Sequence, residues 1–137
     1  MRSLPRSLIL CCVLAACSGE QAALVATDVV ITAPVPGMRM GAAYLALHNN
    51  SAQPVRISRV ASPELESVEL HESVLEDGIA RMHSLAEVVI PAGRSLRFAA
   101  GHKHLMLRYR STVPDSVTLQ FFDDDTLLLA ISVATPE

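Results

Sequence analysis

From residue 28 onward, apolar and polar positions alternate over short stretches, and no helical period lasts more than two turns. Alternation is the signature of a pleated strand with one face buried and the other wet. Val68 and Leu70 oppose Glu69 and His71, and Val117, Leu119 and Phe121 oppose Thr118 and Gln120. The pattern predicts strands at 28–32, 42–48, 55–60, 67–73, 79–83, 87–90, 95–98, 102–109, 116–122 and 127–133. Turn residues separate them: Pro34-Val35-Pro36-Gly37, Asn49-Asn50, Ser62-Pro63, Asp77-Gly78, Pro91-Ala92-Gly93, Pro114-Asp115 and Asp123-Asp124-Asp125. Short strands with turn chemistry at this spacing predict an all-β sandwich or barrel. Residues 127–131 are continuously apolar, which predicts a central strand covered on both faces.

The start of the chain follows a different pattern. Arg2 and Arg6 precede an apolar run over 7–16, too short to cross a bilayer as a helix. The run ends in Leu14-Ala15-Ala16-Cys17. Small residues directly before a cysteine resemble the lipobox of bacterial lipoproteins, in which cleavage leaves the cysteine as a lipidated first residue. The expected organisation is therefore a signal peptide over 1–16, a lipidated Cys17 with a tether over 17–27, and one domain over 28–137. Several acyl chains on Cys17 would anchor the protein stably to a membrane. The expected location is the bacterial periplasm, on a membrane.

Composition narrows the chemistry. All three cysteines lie at or before position 17, so the domain has no thiol for a disulfide or a thiolate metal site. Without Arg2 and Arg6 there are 9 basic against 14 acidic residues, a net charge of −5. There is no basic cluster and no Trp, which argues against nucleic acid as a partner. The aspartates at 123–125 suit a solvated turn and lack the spacing and glycine of an EF-hand calcium loop.

Candidate chemistry lies in Gly101-His102-Lys103-His104-Leu105-Met106-Leu107-Arg108-Tyr109. As a strand, it puts Lys103, Leu105, Leu107 and Tyr109 on one face, which suits a core. The other face carries His102, His104, Met106 and Arg108. A second segment, 69–83, reads as a hairpin turning at Asp77-Gly78, a favoured type I′ pair. A two-residue loop pairs Ser73 with Met82 and His71 with Ser84, making His71 and Met82 diagonal neighbours. A three-residue loop would instead put His83 beside His71 and turn Met82 away. The two-residue loop is preferred because it aligns Ile79 with the face of Val68 and Leu70.

The candidate set is thus His71, Met82, His104 and Met106. Thioether sulfur is soft and neutral, and favours Cu(I) over Zn, Mg or Ca. Imidazole accepts copper in either oxidation state. With no carboxylate or thiolate, the set adds no negative charge, and it lacks the Cys of a blue-copper centre. His102 is a candidate accessory ligand, including for Cu(II). His83, His48, Met38 and Met40 read as surface, strand-end or loop residues.

The spacing His71, ten residues, Met82, twenty-one residues, His104-x-Met106 resembles that of the PCu(A)C family of periplasmic copper chaperones. "GAAYLALHN", "VELHE", "EDG", "IPAG" and "HLMLRY" are similar to family segments, most closely over 35–109. The resemblance implies a single cupredoxin-like Greek-key β-sandwich with an exposed copper site. It also implies Cu(I) carriage to the copper centre of cytochrome c oxidase subunit II, with His71, Met82, His104 and Met106 as ligands. Two departures matter: Ser73 stands where many members have Met, and His102 where they often have another residue.

Other functions compete. A copper-buffering or copper-resistance lipoprotein would use the same ligands without an oxidase recipient. An enzyme is not expected, because no nucleophile–base arrangement, phosphate loop or His-Glu-x-x-His helix is present. A structural lipoprotein would carry these His and Met residues incidentally, and its spectrum would not respond to copper.

Overall fold

The computed structural model describes residues 22–136. They form eleven strands: β1 Leu24–Thr32, β2 Met40–Asn49, β3 Val55–Ile57, β4 Arg59–Ala61, β5 Ser67–Glu76, β6 Ile79–Ser84, β7 Val88–Ile90, β8 Ser95–Phe98, β9 Lys103–Arg108, β10 Ser116–Asp123 and β11 Thr126–Ala134. The expected signal peptide, Cys17 and tether residues 18–21 lie outside the described residues. No helix of the described residues is long and apolar enough to cross a membrane.

The largest sheet has the order β1-β2-β9-β5-β6, with β8 also paired to β2. β2 shares one edge between two partners: residues 40–43 pair with β9 and residues 45–48 with β8. A three-stranded sheet, β11-β10-β4, and a two-stranded one, β3-β7, supply the remaining strands. The core combines Ala43, Leu45, Leu47, Leu70, Leu105 and Leu107 of the large sheet with Ile57, Ile90, Val117, Leu119 and Phe121 of the smaller ones. The result is a sandwich whose inner faces are the apolar rows of the alternating strands.

Two side chains, the buried Tyr109 and the partly exposed Glu64, tie separate strands together. Tyr109 is fully buried, and its hydroxyl donates to the Thr32 carbonyl at 3.4 Å. Burial pushes its phenol up from the ordinary value. Glu64 reaches β10 from the β4–β5 connection, accepting from the Thr118 N–H at 3.0 Å and the Ser62 hydroxyl at 2.8 Å. Burial alone would raise its carboxyl, but hydrogen bonds led by Thr118 and Ser62 outweigh it and hold the carboxyl below its ordinary value.

Three expectations need correction. β1 begins at Leu24, a buried residue, so 24–27 belong to the sheet and not to the tether. A register shift between Thr27 and Val30, with Asp28 at φ 53°, breaks the alternation there. The strand expected over 55–60 is two, divided at Ser58, and its halves join different sheets. The apolar run 127–131 is not central: β11 is an edge strand, and Leu127 is 51% exposed. One side of it packs partly against the core through Leu129, Ile131 and Val133.

Candidate metal centre

The site is built on three adjacent strands, β9, β5 and β6. Asp77 (φ 50°) and Gly78 (φ 78°) both take positive φ, as a type I′ turn requires. The loop is therefore two residues long, and Ser73 pairs with Met82 and His71 with Ser84. His83 falls on the opposite face, paired with Glu72, and its Nε2 lies 3.1 Å from a Glu76 carboxylate oxygen.

On the other side of β5, His71 pairs directly with His104, and Glu69 with Met106. Leu105, Leu107 and Tyr109 point into the core, which leaves His104 and Met106 on the outer face. His71 is thus the hub of the candidate set. His104 stands directly opposite it, and Met82 and Met106 are each one diagonal away, roughly 7–8 Å. The two methionines lie on opposite diagonals, about 16 Å apart in a flat sheet. The imidazoles are therefore brought together directly. The thioethers stand on opposite sides of His71, one on each neighbouring strand.

The imidazole rings have centroids 5.9 Å apart, tilted by 39°. Two rings that each hold a shared ion at about 2 Å sit at about this separation. His104 is only 5% exposed, whereas Met82 is 60% exposed. The pair is sheltered, and one candidate thioether is open to solvent.

Hydrogen bonds define which nitrogen each ring has free. Carbonyl and carboxylate oxygens only accept, so a ring nitrogen bonded to one must carry the proton. His104 donates from Nδ1 to the His102 carbonyl at 2.9 Å, which leaves Nε2 with a lone pair. His71 donates from Nε2 to Glu69 Oε2 at 3.0 Å, which leaves Nδ1. That Nδ1 is buried and has no hydrogen-bond partner. Metal-binding histidines commonly donate their other N–H to a carboxylate or a backbone carbonyl, and here one ring does each.

Glu69 was not expected from the sequence, where it reads only as a solvent-facing residue alternating with the core. Its carboxylate lies beside the candidate set without belonging to it. The signal that could have found it is Glu-x-His on one strand, which puts both side chains on one face. His102 contributes through its backbone: its carbonyl accepts from both His104 Nδ1 and the Ser73 N–H, while its side chain stays exposed. His48 bridges two hydroxyls, Thr27 Oγ1 at 2.8 Å and Ser95 Oγ at 2.7 Å, and so links β1, β2 and β8. Met38 is exposed in the β1–β2 loop, and Met40 pairs with Arg108.

Residues 24–131 match the family described as "Putative lipoprotein LpqE-like". The chain belongs to the LpqE-like family. No curated protein matches the sequence. Among solved structures, the copper-bound PCuAC domain from PmoF2 is similar at 19% identity and a TM-score of 0.62, covering 82% of this chain and 92% of that one. Apo-DR1885 from Deinococcus radiodurans is 21% identical with a TM-score of 0.59, covering 98% and 95%. The CuI form of DR1885 aligns at 27% identity and a TM-score of 0.59, covering 86% and 82%. The likeness to PCuAC domains expected from the sequence is thus borne out in the fold, a cupredoxin-like β-sandwich.

Proposed function

We propose that this LpqE-like protein is a copper carrier that binds Cu(I) through His71 and His104, with Met106 and Met82 as soft ligands. The observation that carries the reading is the imidazole pair itself. Two rings in direct register each have one nitrogen occupied by an acceptor and one left as a lone pair, and the His71 Nδ1 is buried without a partner. A buried polar atom left unpaired is costly, and a metal ion is one partner that removes the cost. Thioethers beside it select a soft monovalent ion. Likeness to a copper-bound PCuAC domain and to CuI-DR1885 supports the same cargo.

The mechanism follows from unequal exposure. His104 and His71 form the sheltered side of the site, and Met82 on the edge strand forms the open side. An incoming acceptor displaces the exposed thioether first and the imidazoles afterwards, so the ion passes between ligands without becoming free in water. The recipient in this reading is the copper centre of cytochrome c oxidase subunit II. The protein is held at a membrane of the bacterial periplasm by a lipid on Cys17.

Competition of the apo protein with a chromophoric Cu(I) chelator tests the cargo. One Cu(I) per chain is expected, with His104→Ala and Met82→Leu weakening binding while the far-ultraviolet spectrum is retained. No Cu(I) bound at neutral pH would end the reading. Transfer from the loaded protein to an apo subunit II copper domain tests the recipient. Retention of the ion there would favour a buffering role.

A further inference from the structure

We propose that Glu69 is a positioning residue that presets His71 to take a metal ion through Nδ1. The inference rests on the copper-carrier reading and assigns a specific part in it to a residue outside the ligand set. The two histidines reach the same state by different means. For His104 the proton on Nδ1 is fixed by a backbone carbonyl, which no side-chain substitution removes. For His71 the proton on Nε2 is fixed by one carboxylate oxygen at 3.0 Å, and that depends wholly on residue 69.

Strand geometry makes the contact local. Glu69 and His71 are two apart on β5 and share its outer face, so the bond forms without help from a second element. Among the described residues, Glu69 has no Lys or Arg ion-pair partner, in contrast to Glu66 with Arg39 and Glu72 with Lys103. Among the described residues, the imidazole is its one side-chain hydrogen-bond partner. Glu69 also faces Met106 across the β5–β9 ladder, so the charge lies beside the site without belonging to the neutral ligand set. In this position it does two things. It stops the ring from rotating to present Nε2, and it makes Nδ1 a stronger donor to a cation by drawing on the opposite N–H.

The test uses the whole domain in apo and Cu(I)-loaded forms, with Glu69→Ala, Glu69→Gln and Glu66→Gln. Glu69→Gln keeps an acceptor oxygen without the charge. Glu66→Gln removes a charge that does not touch His71. In apo wild type, proton–nitrogen NMR should show a slowly exchanging His71 Nε2–H, retained in Glu69→Gln and lost to solvent exchange in Glu69→Ala. On Cu(I) loading, the large nitrogen shift should fall on Nδ1 of His71. Glu69→Ala should bind Cu(I) about 10- to 100-fold more weakly. Glu69→Gln should lie between it and wild type, and Glu66→Gln should match wild type. A coordination shift on Nε2 of His71, or a Glu69→Ala protein that binds as tightly as wild type, overturns the role of Glu69 while leaving the carrier reading intact. A wild type that binds no Cu(I) overturns both.

Discussion

Gly41→Ala is expected to be among the most damaging single-methyl changes in the domain. Gly41 lies in β2, paired with Leu107 of β9, and its neighbour Ala42 pairs with both Thr32 of β1 and Met106 of β9. A Cβ on Gly41 would run into the Thr32 carbonyl oxygen and come within 2.9 Å of the Tyr109 ring. Neither can yield cheaply: the first is backbone, and the second is a fully buried ring. Relief requires β1 to move away from β2. That would loosen the Ala42 N–H to Thr32 hydroxyl bond of 2.8 Å and the 3.4 Å bond from Tyr109 to the Thr32 carbonyl. Overpacking costs about 1–3 kcal/mol, and two weakened hydrogen bonds add about 1 kcal/mol each at most. The expected loss is about 3 kcal/mol, a large share of the roughly 5–15 kcal/mol available to a domain. In urea, with a slope of about 1–3 kcal/mol/M, the midpoint should fall by about 1.5 M. The comparison is Gly37→Ala, where φ is +84° but the added methyl meets open space. That strain should cost only about 1 kcal/mol. If Gly41→Ala unfolds at the same urea concentration as Gly37→Ala, the steric account of β1, β2 and Tyr109 is wrong.

Ser73→Met would place a third thioether directly across from Met82, and Cu(I) affinity should rise several-fold in chelator competition; an unchanged value would mean that the ion does not sit near β6. Gly78→Ala strains a turn residue at φ 78° by about 1 kcal/mol. It should weaken Cu(I) binding proportionately more than it lowers the urea midpoint, because the turn serves the hairpin and not the core. Glu64→Gln should destabilise the domain at neutral pH by about 1–2 kcal/mol. The Glu64 carboxyl is held below its ordinary value of 4.5 in the fold, so its contribution is present above that value and fades as pH falls through the lower folded one. The difference between wild type and Glu64→Gln in urea should accordingly close in acid, and a difference independent of pH would contradict the hydrogen-bond account.

The legible parts of this sequence were those set by local rules. Asp77-Gly78 fixed the hairpin loop, and that loop fixed which face Met82 and His83 take. Alternation over 103–109 separated core residues from His104 and Met106. The illegible parts depended on what lies next to a strand. Residues 127–131 look the same whether a strand is central or at an edge, because only the neighbours decide whether Leu127 is covered. Ser58 gave no sign that the chain changes sheets there. Leu24 was lost to the tether because the irregularity at Asp28 hides the continuity of β1. At the site, His71, Met82, His104 and Met106 stood out by residue type and spacing, but nothing in the sequence shows that β5 and β9 are neighbours, which is what puts the two imidazoles in register. Glu69 did not stand out, because a glutamate on a wet face is ordinary, and only its distance to His71 makes it informative.

All six residues of β6 are exposed, and the strand is paired on one side only. It contributes nothing to the sandwich interior, so peeling it from β5 breaks one short ladder and leaves the rest of the molecule standing. For the carrier proposed above, this would separate two properties that most metalloproteins link: the share of the grip that Met82 supplies could be tuned on one strip, with thermal robustness left to the body behind it. Variation among relatives should then concentrate in that strip wherever recipients differ.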